Sequence, residues 1–108
     1  MDVGETQDDN RREAVLIRFE MTGSPDDFWE LNSRLFDLLD SSDVGEFDGN
    51  EIGQDEVILF AYGRDSEQLF RAMEPVLKSY AICHDAQVVL RKADPGAPES
   101  EFKLWTIH

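Results

Sequence analysis

The chain has 108 residues, with 24 acidic against 10 basic side chains, a net charge of −14 and one cysteine. That length suits one domain with one core, and a hydrophobic content of 41% is enough to fill it. The charge repels nucleic acid and anionic membrane surfaces, a lone cysteine closes no internal disulfide, and no apolar run is long enough to span a bilayer. The opening MDVGETQDDNRRE lacks the apolar stretch of a secretory signal, so the expectation is a soluble cytoplasmic protein.

Residues 1–13 show no periodicity and read as a disordered acidic tail; the domain is expected over 14–93 and a docking segment over 94–108. Val15, Ile17, Phe19 and Met21 alternate with Leu16, Arg18 and Glu20, the period of a half-buried strand. After Thr22-Gly23, Ser24 is the expected N-cap of a first helix, with Pro25 in its first turn followed by Asp26 and Asp27. Phe28, Leu31, Leu35, Leu38 and Leu39 form its apolar stripe to about Asp40, and Trp29 and Phe36 are expected to cover the margin. Residues 44–52 read as a second strand interrupted by Gly45 and Gly49. Gly53-Gln54-Asp55 is the expected turn, and Gly49 is read as a bulge.

The run Val57-Ile58-Leu59-Phe60 is the strongest strand signal, expected to end near Tyr62. Because both of its faces are apolar, its parity is a choice: Phe60 is taken inward with Phe19, Leu35 and Met73, leaving Val57, Leu59 and Ala61 outward beside Leu16, Arg18 and Glu20. Asp65 with Gln68 starts a second helix by a capping box, and Leu69, Met73, Val76, Leu77 and Tyr80 are its buried face. Pro75 is expected to kink it. Residues 87–92 are a fourth strand. After Asp94-Pro95-Gly96-Ala97-Pro98, the apolar Phe102, Leu104, Trp105 and Ile107 are expected to dock as a fifth edge strand.

Strand, helix, hairpin, helix, strand in that order is the β-α-β-β-α-β plan: an α+β, ferredoxin-like sandwich of a four-stranded antiparallel sheet with two helices on one face. Phe47-Asp48-Gly49-Asn50-Glu51-Ile52-Gly53, followed by Ala61-Tyr62-Gly63-Arg64-Asp65 and Leu69-Phe70, resembles a pattern in a family of small bacterial ferredoxin-like proteins of unassigned role. The likeness covers residues 14–95. It implies the same fold and a bacterial source, and it transfers no site.

The plan hosts many activities, so function must be read from particular residues. The loop Met21-Thr22-Gly23-Ser24-Pro25 has neither the arginine of an acyl-phosphate cradle nor the paired cysteines of a copper carrier. Cys83-His84-Asp85 has catalytic residue types, but neighbours in a turn point apart, and a structural role is expected. The acidic stretch 40–56 fits no EF-hand frame: from Asp43 the third and fifth positions are Gly45 and Phe47, and from Asp48 the fifth and twelfth are Ile52 and Leu59. No catalytic residue, metal site or cofactor is therefore expected.

The leading expectation is a non-catalytic interaction domain, immunity-like, inhibitor-like or regulatory, whose Asp43, Glu46, Asp48, Glu51, Asp55 and Glu56 face a basic protein partner. The alternative is a small-ligand regulatory domain resembling ACT modules, using Thr22, Gly23 and Ser24. A homodimer through the open sheet face is also expected. The charge alone makes one expectation testable: unrelated DNA duplexes should show no mobility shift at moderate salt, and a shift that survives there would overturn the argument.

Overall fold

A computed structural model of the chain describes residues 12–21, 25–94 and 96–104. Its elements follow the expected order: β1 (Glu13–Glu20), α1 (Pro25–Asp40), β2 (Glu46–Ile52), β3 (Glu56–Gly63), α2 (Ser66–Lys78), a 3-10 turn (Ala81–Cys83), β4 (Gln87–Arg91) and β5 (Ser100–Lys103). The strands form one sheet in the order β2-β3-β1-β4-β5, and every neighbouring pair is antiparallel. This is the ferredoxin-like α+β sandwich with a fifth strand on the β4 edge. Among the described residues no helix is long and apolar enough to cross a membrane.

β1 is the central strand, and its register sets the core. Val15, Ile17 and Phe19 are buried against the helices, and they pair with Ala61, Leu59 and Val57 of β3. Directly paired residues share a face of the sheet, so Val57, Leu59 and Ala61 also point inward. The sequence expectation for β3 was the opposite and is corrected: Phe60 is half-buried on the open face, opposite Leu16. Phe19, Leu35 and Met73 do share the core, with Leu59 in the place expected for Phe60.

α1 buries Phe28, Leu31, Leu35 and Leu39, while Asp26 and Asp27 lie in its first turn, where the helix dipole favours negative charge. The expected cap Ser24 lies outside the described residues, with Thr22 and Gly23. Trp29 and Phe36 do not close over the margin of the stripe; each is 55% exposed. On α2 the Asp65 half of the expected capping box is present. Asp65 Oδ1 accepts from the backbone N–H groups of Glu67 at 3.0 Å and Gln68 at 3.2 Å. A second carboxylate, Glu13 Oε1, accepts from the Ser66 N–H at 2.7 Å, which joins the start of β1 to the start of α2. Glu13 was assigned to the tail by sequence; it is the first residue of β1. The helix runs to Lys78 through an exposed Pro75.

Gly49 marks the expected bulge, where the β2–β3 register shifts after Phe47 and φ reaches 119°. Gly45 and Gly63 serve a different need. A Cβ on Gly63 would collide with the Val44 carbonyl oxygen, and one on Gly45 with that of Tyr62. The backbones therefore approach there more closely than any side chain allows. The turn between β2 and β3 is closed by the Gly53 N–H donating to Glu56 O at 2.7 Å. At the other edge, Phe102 pairs with Val88 and meets Phe70 edge-on at 5.4 Å, and buried Leu104 donates its N–H to Ala86 O. Trp105 and Ile107, also expected to dock, lie outside the described residues.

The parity of β3 has a measurable consequence. Leu59→Ala should cost about 2–5 kcal/mol, as for a buried leucine, and Phe60→Ala distinctly less, when urea midpoints are compared at low protein concentration. Equal costs, or the reverse order, would contradict this register.

Candidate partner-binding surface

The six carboxylates expected to form one acidic edge are distributed by the fold over several places. The pleat sends Glu46, Glu51 and Glu56 to the open face of the sheet, because they share register positions with Tyr62, Ile58 and Glu20. Glu46 pairs with Arg12 at 2.9 Å, and Glu56 lies 3.8 Å from Arg18 Nε. Asp43 lies in the connection from α1, and Asp55 in the hairpin turn. Asp48 alone, displaced by the bulge, borders the space between β2 and α1.

That space is a groove of about 440 Å³ lined by Asn32, Ser33, Phe36, Phe47, Asp48 and Gly49, with Asp37 on its rim. Its floor is set by an amide pair: Asn50 Nδ2 donates to Asn32 Oδ1 at 2.9 Å, and Asn32 Nδ2 donates to Phe28 O at 2.8 Å. Buried Asn32 therefore uses both ends of its amide, which ties the edge strand to the helix. Phe36 forms part of one wall. One face of the same helix carries Trp29, seven residues earlier, two turns away and packed edge-on against Phe28 at 4.9 Å. The groove thus combines exposed aromatic surface with carboxylates and no basic side chain among its lining residues. Sequence reading named Asp48 and missed Asp37 and the aromatics. The signal was present in the spacing of Trp29 and Phe36, but an amphipathic helix ordinarily spends such residues on its core margin.

A second cavity, of about 430 Å³, opens at the end of the sheet where β1 and β3 meet the 3-10 turn. Arg18, His84 and Lys103 line it together with Glu20, Glu56 and Asp85. Both signs of charge converge there, around apolar surface from Phe19 and Ile82.

The Cys83-His84-Asp85 triplet does not converge. Cys83 is buried at the end of the 3-10 turn, and loss of solvation pushes its thiol up to about 12 from an ordinary 9.0. His84 and Asp85 are exposed, with Nδ1 and Oδ1 3.4 Å apart. A thiol held protonated and away from solvent is a packing group, as its position in the turn implied. Among the described residues no group of three or more His, Cys, Asp or Glu side chains is arranged to hold a metal ion.

Comparison with protein-family models, with curated proteins and with solved structures finds no match to this chain. Its function has to be read from its own surfaces.

Burial of Cys83 gives a pH dependence with a definite sign. Above pH 9 the unfolded chain releases the thiol proton while the native state keeps it until about pH 12. The unfolded state then binds fewer protons, so stability from this group is full below pH 9 and falls as pH rises through that window. Urea midpoints of the wild type should therefore decline faster above pH 9 than those of Cys83→Ala. Parallel pH profiles, or full labelling of the native thiol by a disulfide reagent at pH 8, would refute the burial.

Proposed function

We propose that this protein is a non-catalytic interaction module that holds a basic segment of a protein partner in the groove between α1 and β2. The carrying observation is the exposed Phe36 ring in a groove edged by Asp37 and Asp48, with a second exposed aromatic, Trp29, two turns away along α1. Charge on an edge strand is explained by protection from aggregation, but two large exposed aromatics are not. Aromatic faces attract guanidinium and ammonium groups, and neighbouring carboxylates take the same cations in charge-assisted hydrogen bonds. Trp is also a residue type that dominates the energetics of protein interfaces. The net charge of −14 adds a long-range field that speeds encounter with a basic partner and repels acidic ones.

An inhibitor-like or immunity-like role fits such a surface, since neither requires chemistry from this chain. A bacterial cytoplasmic setting agrees with the family resemblance and with a single cysteine that closes no internal disulfide. One observation favours a second reading, a regulatory domain for a small charged metabolite. The cavity at the end of the sheet brings Arg18, His84 and Lys103 into reach of a carboxylate or phosphate, with Glu20 and Glu56 available to an ammonium group.

The two readings separate in one titration. An arginine- and lysine-rich peptide added to isotopically labelled protein should shift the resonances of Trp29, Asn32, Phe36 and residues 47–49. Those shifts should fade with salt and with Phe36→Ser. Shifts spread evenly over the acidic residues would reduce the effect to nonspecific charge, and shifts centred on Arg18 and Lys103 with small anions would favour the metabolite.

A further inference from the structure

On the face of the sheet opposite the helices, three cross-strand rows can be read from the register. One runs Glu51–Ile58–Arg18–Gln87–Lys103, the next Gly49–Phe60–Leu16–Val89–Glu101, and the third Glu46–Tyr62–Ala14–Arg91. Their centre is apolar: Ile58, Phe60 and Leu16 are half-buried and Val89 is buried. Their margins are charged, and the β2–β3 side is the more acidic of the two. The β2–β3 side carries Glu46, Glu51 and Glu56, with Arg12 on Glu46 at 2.9 Å, whereas the β4–β5 side carries Arg91 and Lys103 beside Glu101 and Glu99, the last 2.6 Å from Arg91. In a chain of net charge −14, this face holds Glu51 and Lys103 at opposite ends of one row, where a second copy can set one against the other.

We propose that this face binds a second copy of the chain, with the two-fold axis running along β1. Two sheets stacked face to face align their strands to within about 30°. An axis along the central strand reverses the strand order of the partner, so the β2 side of one copy covers the β5 side of the other. Leu16 then meets Leu16, Phe60 meets Val89, Tyr62 faces Arg91 and Glu51 faces Lys103. An axis across the strands would instead lay β2 on β2 and set Glu51 near Glu46, acid against acid. Arg18 falls near the axis, where Glu56 at 3.8 Å offsets the approach of its own copy.

The size also suits a dimer. Five strands about 4.8 Å apart, the central one about 27 Å long, present on the order of 600 Å² in plan. Side-chain relief brings that toward the roughly 800 Å² per partner of a standard interface. The groove between α1 and β2 lies on the helix side, so both surfaces can be occupied at once.

Light scattering of the intact protein should give about twice the 12.4 kDa chain mass. Phe60→Lys should return the mass to 12.4 kDa with far-ultraviolet circular dichroism unchanged. The axis is tested separately, by variants that leave the apolar centre intact. Glu51→Lys and Lys103→Glu should each weaken dimerisation about tenfold, and the double variant should restore it. A monomer at high concentration overturns the proposal, including the case in which residues 1–11 or 105–108 of the same chain cover the face. A dimer that survives Phe60→Lys places the interface elsewhere. Failure of the double variant to rescue overturns the axis.

Discussion

The antiparallel pairing of β1 with β3 is the constraint on which the other features rest. Eight residues of β1, from Glu13 to Glu20, pair in unbroken register with Gly63 to Glu56. Once Val15, Ile17 and Phe19 face the helices, every partner on β3 is assigned a face, and so is every residue of β2 and β4 paired through these two strands. A slip of one residue would turn Leu59 and Val57 out and bring Phe60 and Ile58 in, exchanging the core for the open face. The register also places Glu13 where its carboxylate accepts the first N–H of α2, so the central strand positions the second helix as well.

The same geometry explains why acidity on this chain is not one functional patch. Alternation in the pleat sends Glu46 and Glu51 to the open face, and the bulge at Asp48-Gly49 sends Asp48 toward α1. A continuous acidic stretch in sequence is thereby divided among the open face, the connecting turns and, at Asp48 alone, the groove beside α1. On the helix side Asp37 and Asp48 border a groove walled by Phe36, a combination that suits cationic side chains. On the open side a carboxylate-rich margin and a margin of mixed charge flank an apolar centre, a combination that suits a copy of itself. The two proposals draw on different faces and different chemistry.

The Cys83-His84-Asp85 triplet does not form a reactive thiol–imidazole pair. The one cysteine is buried, its thiol held protonated, and the histidine beside it in sequence points to solvent. The charged cavity at the end of the sheet can recognise a small ion through Arg18 and Lys103, but that is recognition chemistry and needs no reacting group.

Much of the architecture was legible in the residues because its signals are local. Pro25 with the two aspartates behind it, Asp65 as a cap, Gly49 as a bulge and Gly53 at a turn each act through their own backbone or the next few residues, and the period of β1 belongs to that strand alone. The element order, the fold class and the docking of Phe102 and Leu104 follow from such signals. The parity of β3 does not, because Val57-Ile58-Leu59-Phe60 is apolar on both faces and only its partner strand chooses between them. The exposure of Trp29 and Phe36 was hidden for a related reason: an aromatic on the edge of a helical stripe is buried or bare according to what lies beside the helix. Here the neighbour is an edge strand bent by a bulge and tied to the helix by Asn32 and Asn50. Local chemistry determined which elements form. Long-range pairing decided which sides of them meet the solvent, because a side chain's neighbours across the sheet come from parts of the chain that its own sequence context does not contain.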